Sequence, residues 1–206
     1  MNLPNLCKSQ ALLITIFLFS TFSVNAQHTS THGHQQNIFI SMMDTMMIRM
    51  DAAVIGISPE QDFIVQMIPH HQGAIEMAIY EIQHGKSFEM IQLAKSILAE
   101  QKIELQQMNL YLKKLPADRA ATPKDYKKAM DKTMEIMMEN MPNNNELNDI
   151  DVAFARVMIP HHQAAIDMAK VVLQFSKDQQ TVAFAKHIIS NEEIEIEQML
   201  TFINKQ

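Results

Sequence analysis

The sequence predicts an all-α protein, and three observations carry that prediction. Glycine is scarce, at 4 of 206 residues, and tryptophan is absent, which disfavours glycine-rich nucleotide-binding folds and turn-dense β-sandwiches. Apolar residues recur at helical spacing in six segments. An internal repeat then relates the first three segments to the last three. The formal charge of -6 and the small number of basic clusters argue against nucleic acid or an anionic membrane surface as a partner.

The first 26 residues have the features of a secretory signal peptide. Lys8 supplies the positive charge, residues 11–24 form an uncharged apolar run, and Val24-Asn25-Ala26 offers a small-residue cleavage site. The run of about 14 residues falls short of the ~20 that a spanning helix needs, so an uncleaved anchor is the less favoured alternative. Cleavage would remove the only cysteine, Cys7, and predicts a thiol-free protein that is periplasmic or secreted and no longer attached to a membrane.

A polar segment, residues 27–37, separates the predicted signal peptide from the first helix. It contains His28, His32 and His34 and shows no hydrophobic periodicity, so we expect it to be flexible. Its histidines fit either a solvated tail or an arm that captures Cu(II).

The six helices are predicted from apolar periodicity together with signals at their ends. The second helix begins at the N-cap residue Ser58, with Gln61 at the capping-box position, and it ends before Gly85. Thr122 and Pro123 are predicted to cap the fourth helix. The predicted helices cover about residues 38–54, 58–84, 88–114, 122–141, 148–175 and 178–204.

The motif Met-Ile-Pro-His-His-Gln occurs twice, at residues 67–72 and 158–163, an offset of 91 positions. The same offset matches helix three with helix six, and the methionine-rich helix one with helix four. The repeating unit is therefore three helices, residues 38–114 and 129–205, within one helical domain, residues 38–205. The unusual residues consequently stand at equivalent places twice.

Each methionine-rich helix carries the pattern M-x-x-M-M-x-x-M. Residues three or four apart on a helix have Cβ atoms about 5 to 6 Å apart, so two thioethers can reach one ion. Uncharged sulfur ligands select Cu(I), or the similar Ag(I), over hard cations. Methionine also fills helical cores, but a core gains nothing from repeating the same four thioethers, so we favour metal binding. The candidate ligands are Met43, Met46, Met47, Met50, Met134, Met137, Met138 and Met141.

The repeated histidine pair adds nitrogen ligands to the thioethers. Met67 precedes His70 by three residues and His71 by four, so one imidazole and one thioether can share an ion. Adjacent histidines point about 100° apart on a helix and should serve different neighbours. A lone buried histidine is usually a satisfied core residue, whereas a duplicated pair with flanking methionine favours metal.

Two further pairs are weaker candidates. Glu104 and Glu195 recur on the partner helices, where each either orients a histidine ring or is an ordinary exposed residue, and we favour the second interpretation. His84 and His187 have no histidine at the equivalent position, so we interpret them as surface or local residues.

The motif M-I-P-H-H-Q-x-A-I-x-M-A, followed by a helix ending in I-E-x-x-Q-M, resembles the CopM-like family, domain of unknown function 305. The resemblance covers nearly all of the chain after residue 26. It implies a ferritin-like four-helix bundle core with additional methionine-rich helices, in an exported protein that binds copper and silver. The ligands that it implies are Met67, His70, His71, Met77, Met158, His161, His162 and Met168.

These features favour a Cu(I)- and Ag(I)-binding protein for copper buffering, transport or resistance, with no chemistry of its own. Its partners would be metal ions and other copper-handling exported proteins. The alternatives are a ferritin-like metal-dependent oxidase and a metal-free helical interaction module. A di-iron site needs a Glu-x-x-His pair on each of two helices. The one candidate, Glu81 to His84, has Phe175 at the equivalent of its histidine, which disfavours the iron enzyme and leaves slow copper oxidation open.

Overall fold

The computed structural model describes residues 36–115 and 121–206. The predicted signal peptide and most of the histidine-containing segment lie outside the described residues. Within those residues every regular element is helical and no β-strand occurs, so the all-α prediction is confirmed. The elements are α1 (Ile38–Asp51), α2 (Pro59–His84), α3 (Phe88–Leu112), α4 (Lys124–Glu139), a 3₁₀ turn (Asn144–Glu146), α5 (Ile150–Phe175) and α6 (Gln179–Ile203).

The ends of α2 follow from the side chains that were predicted to cap it. The hydroxyl of Ser58 accepts a hydrogen bond from the backbone N–H of Gln61. At the other end, a Cβ on Gly85 would overlap the carboxyl group of Glu81, so only glycine fits there without rearrangement. Helix α2 therefore begins and ends where its sequence predicts.

Helices α1 and α4 depart from the prediction around Asp62. Helix α1 ends at Asp51, and the chain turns through Gly56, whose φ of 103° suits glycine. The Asp62 carboxylate accepts hydrogen bonds from the Gly56 N–H at 2.8 Å and from the Thr122 hydroxyl at 2.6 Å. Because Thr122 is engaged there, it caps no helix, and α4 starts at the N-cap Pro123 without a side-chain cap.

Four of the helices form the core, and the two methionine-rich helices flank it. Helix α2 packs against α3, α5 packs against α6, and α2 also packs against α5, while α3 meets α6 more sparsely. Helix α1 lies on α2 and α4 lies on α5. The ferritin-like character of this bundle stays a prediction. In the described part of the chain, no helix combines the length and apolarity needed to cross a membrane.

Helix α1 is held by one aromatic anchor and one close approach. Phe39 is fully buried, with its ring centroid 5.5 Å from that of Tyr80 and 5.8 Å from that of Phe154. Further along, Met46 lies over Gly73 of α2, where an added Cβ would stand only 3.0 Å from its Cγ and Sδ atoms. The missing side chain at Gly73 thus lets a thioether pack against the backbone of α2.

Candidate metal centre

Four histidines meet inside the four-helix core, where α2 packs against α5. His70, His71, His161 and His162 have no solvent-exposed surface. The rings of His70 and His161 are stacked with a tilt of 35° and centroids 3.8 Å apart, and His161 Nε2 is 3.2 Å from the His70 carbonyl oxygen. The fold therefore brings together the two histidine motifs that stand far apart in sequence.

Each repeat pairs its second histidine with a glutamate from the neighbouring helix. His71 Nε2 is hydrogen-bonded to Glu104 Oε2 at 2.8 Å. His162 Nε2 is also 2.8 Å from Glu195 Oε2, although off the direction of a good hydrogen bond. The two glutamates are only 3% and 7% exposed, so the interpretation of them as exposed residues is wrong. The hydrogen bond with Glu104 orients the His71 ring. We call the four histidines with these two glutamates the core cluster.

Further contacts beside the core cluster join residues that are 91 positions apart. The Gln101 side-chain amide donates to Glu192 Oε1 at 3.2 Å, and the Asn191 amide donates to Glu100 Oε1. The stacked histidines have the same separation. Equivalent residues contact each other when they lie near an axis that relates two repeats, so these pairs mark an approximate twofold axis. In each of the two polar pairs, a side-chain amide faces a glutamate carboxyl group.

Burial keeps the imidazoles of His70, His161 and His162 uncharged at neutral pH. It lowers the pKa of His70 and His161 well below the ordinary range, and neighbouring imidazoles lower it further. Burial likewise lowers the pKa of His162 to about 3, with a second imidazole contributing. Burial, followed by a nearby carboxylate, raises the pKa of Glu195 to about 8. The neutral rings therefore have no excess proton to lose before they can bind a metal ion.

Several nitrogen atoms of the core cluster have no hydrogen-bond partner among the described residues. They are both ring nitrogens of His70 and of His162, and the Nδ1 atoms of His71 and His161. Leaving a buried polar atom unpaired costs about 1 to 3 kcal/mol, so several in one place favour a bound ligand. Imidazole nitrogens suit copper and zinc ions.

The methionines of the histidine motif are also fully buried. Met67 and Met77 of α2, and Met158 and Met168 of α5, have no exposed surface. Whether Met67 shares an ion with either histidine of its motif stays a prediction.

The structure divides the predicted methionine ligands in and beside α1 and α4 between core and surface, with Met141 two residues beyond the end of α4. The buried members are Met43, Met46, Met50 and Met137. Met47, Met134 and Met141 are half-buried, and Met138 is exposed. Helical spacing within one helix therefore did not separate packing methionines from accessible ones.

Methionines of α1 and α4 converge on one cavity. Met47 and Met50 of α1, with Met130, Met134 and Met138 of α4, line a cavity of about 380 Å³ that we call the thioether cleft. Met130 was not among the predicted ligands, because its equivalent in the first repeat is Phe39 and the methionine pattern does not extend to it. The lining is completed by Gln66 and three acidic residues, Asp51, Asp131 and Glu135.

The two ends of the Glu-x-x-His segment of α2 lie in different environments. Glu81 is buried, whereas His84 is exposed and its ring centroid lies 4.2 Å from that of Tyr80.

His187, interpreted above as a surface or local residue, also lies beside two glutamates of α3. Its side chain is half exposed, and its Nε2 atom is 3.5 Å from the Oε1 atoms of both Glu100 and Glu104. Sequence reasoning missed this group, although the spacing of Glu100 and Glu104 places both on one face of α3.

Comparison with known families and structures gives consistent matches. The model of a family described as "Domain of unknown function (DUF305)" matches residues 10–112 and 60–203. A DUF305 fragment from Deinococcus radiodurans is 21% identical, with a TM-score of 0.53 over 74% of this chain and 100% of the fragment, and it shares the fold. No curated protein matches the chain.

The protein CopM, solved in several metal-bound forms, is more similar in sequence. Its Ag-bound form is 27% identical, with a TM-score of 0.54 over 71% of this chain and 95% of CopM. The Cu(I)-bound form is 28% identical, with a TM-score of 0.53 over 71% and 96%. The Cu(II)-bound form is 28% identical, with a TM-score of 0.54 over 72% and 97%.

Proposed function

Because the chain belongs to the family described as domain of unknown function 305, we propose that it is an exported protein that binds Cu(I) and Ag(I) through methionine and histidine. It would buffer or transport copper, or confer resistance to it, without catalysing a reaction. The structures of CopM with silver and with Cu(I) support the choice of metals.

The thioether cleft carries this proposal. Its five sulfur atoms are soft and uncharged, which favours Cu(I) and Ag(I) over hard cations. The acidic side chains of Asp51, Asp131 and Glu135 beside the sulfurs raise the local concentration of cations without competing as soft ligands. A metal-free interaction module has no need for this combination.

The core cluster and its methionines are the proposed second binding region. The unpartnered buried nitrogens of His70, His71, His161 and His162 favour a ligand there, and Met67 and Met158 stand one helical turn before them. Met77 and Met168 complete this set, as the family resemblance implies. The buried members of the methionine pattern, Met43, Met46 and Met137, would act mainly by packing the flanking helices.

The proposed compartment is the periplasm or the exterior of the cell. It rests on the apolar run and cleavage site within residues 1–26, which lie outside the described part of the chain. There, His28, His32 and His34 would be available to Cu(II), and other exported copper-handling proteins would be the exchange partners. Thioethers remain competent ligands in such an oxidising compartment, where an exposed thiolate would not last.

The test is a titration with Ag(I), and with Cu(I) under reducing anaerobic conditions. The variant replaces Met47, Met50, Met134 and Met138 by leucine, and the control is Met90→Leu, which removes one buried thioether of α3 outside the cleft. Methionine and leucine have similar volumes, so both proteins should fold, which circular dichroism checks. We expect the cleft variant alone to lose at least one bound equivalent. Equal stoichiometry and affinity in variant and control would contradict the proposal.

A further inference from the structure

Glu100 and Glu104 of α3 and His187 of α6 form a second kind of ligand group, away from the sulfur atoms. One ligand atom from each residue lies within 4.8 Å of the other two. The group exists in one repeat only, because Asn191 and Ser96 occupy the positions equivalent to Glu100 and His187. Any site here is therefore single per chain.

Several carboxyl groups lie close together around this group. Glu192 and Glu195 lie close to Glu100 and Glu104, and burial followed by repulsion from Glu195 and Glu104 raises the pKa of Glu100. Within the described residues, the ion pairs of lysine and arginine all involve other carboxylates. A cation bound between Glu100 and Glu104 would relieve the repulsion between these carboxyl groups.

Hydrogen bonds from neighbouring side chains hold the two glutamates in place. His71 Nε2 holds Glu104 Oε2 at 2.8 Å, while Glu104 Oε1 faces His187. The Asn191 amide donates to Glu100 Oε1. Such contacts orient metal ligands in many proteins, because they fix a carboxylate before the ion arrives.

The group is also accessible from solvent. His187 is half exposed and stands at the edge of a cavity of about 440 Å³ between α3 and α6, which Gln107, Met108 and Phe184 also line. An ion can therefore reach His187 from solvent without passing through the core cluster.

We propose that Glu100, Glu104 and His187 bind one borderline divalent cation of the Zn(II) type. Two carboxylate oxygens and one imidazole nitrogen are ligands that Zn(II) accepts, with a water molecule in the fourth position. Zinc-ligand distances of about 2.0 to 2.2 Å require the donors to approach one another by small side-chain rotations. Cu(I) and Ag(I) prefer sulfur, so this site and the thioether cleft differ in the metal that they select.

The experiment uses the chain with His28, His32 and His34 replaced by alanine, which removes the competing histidine segment. Zn(II) is titrated by calorimetry and against a chromophoric chelator, and Co(II) reports the ligand geometry through its visible absorption. We expect one of the bound equivalents of Zn(II) to bind at least tenfold more weakly after either Glu100→Gln or His187→Ala. The matched control, His84→Ala, removes an exposed histidine elsewhere and should bind Zn(II) unchanged.

Two outcomes would overturn the proposal: no saturable Zn(II) binding, or equal Zn(II) affinity in His187→Ala and His84→Ala. In either case His187 only forms an ion pair with the two glutamates. The Ag(I) titration of His187→Ala separates this proposal from the proposed function, because Ag(I) binding should remain at full stoichiometry. Failure of the thioether cleft to bind Ag(I) in a chain that still binds Zn(II) would contradict the proposed function alone.

Discussion

Replacing Glu81 by glutamine should stabilise the protein at neutral and alkaline pH but not near pH 4. Burial, with the neighbouring Asp151 contributing, raises the pKa of the Glu81 carboxyl from 4.5 to about 9. Between these values the folded chain holds a proton that the unfolded chain releases. The contribution of this group to stability is therefore complete below pH 4.5 and is lost as the pH rises toward 9.

The expected gain follows from the pKa shift and from the packing. At about 1.4 kcal/mol per pH unit, the interval between pH 4.5 and pH 7 corresponds to about 3 kcal/mol. The side chain has no exposed surface, so solvent screens this cost little. In the second repeat, the equivalent position holds the buried Val172, so the fold accepts an uncharged side chain there. We expect Glu81→Gln to gain about 2 to 3 kcal/mol at pH 7.

The assay is urea unfolding followed by circular dichroism at pH 4, 7 and 8.5. Glu139→Gln is the control, because that carboxylate is exposed on α4 and should give the same stability as the parent at each pH. Glu81→Val tests the same point with the side chain that the second repeat uses. A gain for Glu81→Gln that is equal at pH 4 and pH 8.5 would refute the reasoning, because the benefit would then not come from the suppressed ionisation.

Three other substitutions test separate parts of the fold. Gly73→Val should cost about 2 kcal/mol in urea unfolding, because it crowds Met46, and an unchanged midpoint would show that Met46 moves aside freely. Glu192→Gln should become more stable than the parent as the pH rises, because burial holds the pKa of Glu192 well above its usual range. A stability difference between variant and parent that does not change with pH would refute this. Since burial lowers the pKa of His162 to about 3, the folded chain loses stability as the pH falls below 6.5, and His162→Gln should reduce that slope by about 1.4 kcal/mol per pH unit. A slope unchanged from pH 6.5 to 4.5 would contradict it.

The helices could be predicted because their signals are local. The N-cap at Ser58 and the stop at Gly85 depend on residues within one turn, and both ends of α2 match the structure. Thr122 did not act as a cap, because its hydroxyl is taken by Asp62, which is distant in sequence. Capping patterns hold where no tertiary partner competes for the same side chain.

The candidate site was predictable only in part, for the same physical reason. The repeat identified the histidine pairs, since equivalent positions can be compared without knowledge of the fold. It could not reveal that Glu104 is buried against His71, because that depends on which face of α3 meets α2. Nor could it find Met130 or His187, whose equivalents, Phe39 and Ser96, carry no ligand atom. Candidate ligands that occur in only one repeat can be recognised only once the packing of the helices is known.

The contacts between equivalent residues bear on how such a chain can diversify. If each three-helix unit were a separate subunit of a homodimer, every residue on the axis would face its own copy. Glutamate would then meet glutamate, or glutamine would meet glutamine, in the buried centre. In a single chain that contains both units, equivalent positions can hold different residue types. Here Gln101 meets Glu192 and Asn191 meets Glu100. Covalent joining of the two units is what permits complementary, unlike partners on the axis, and with them a ligand group on one side only.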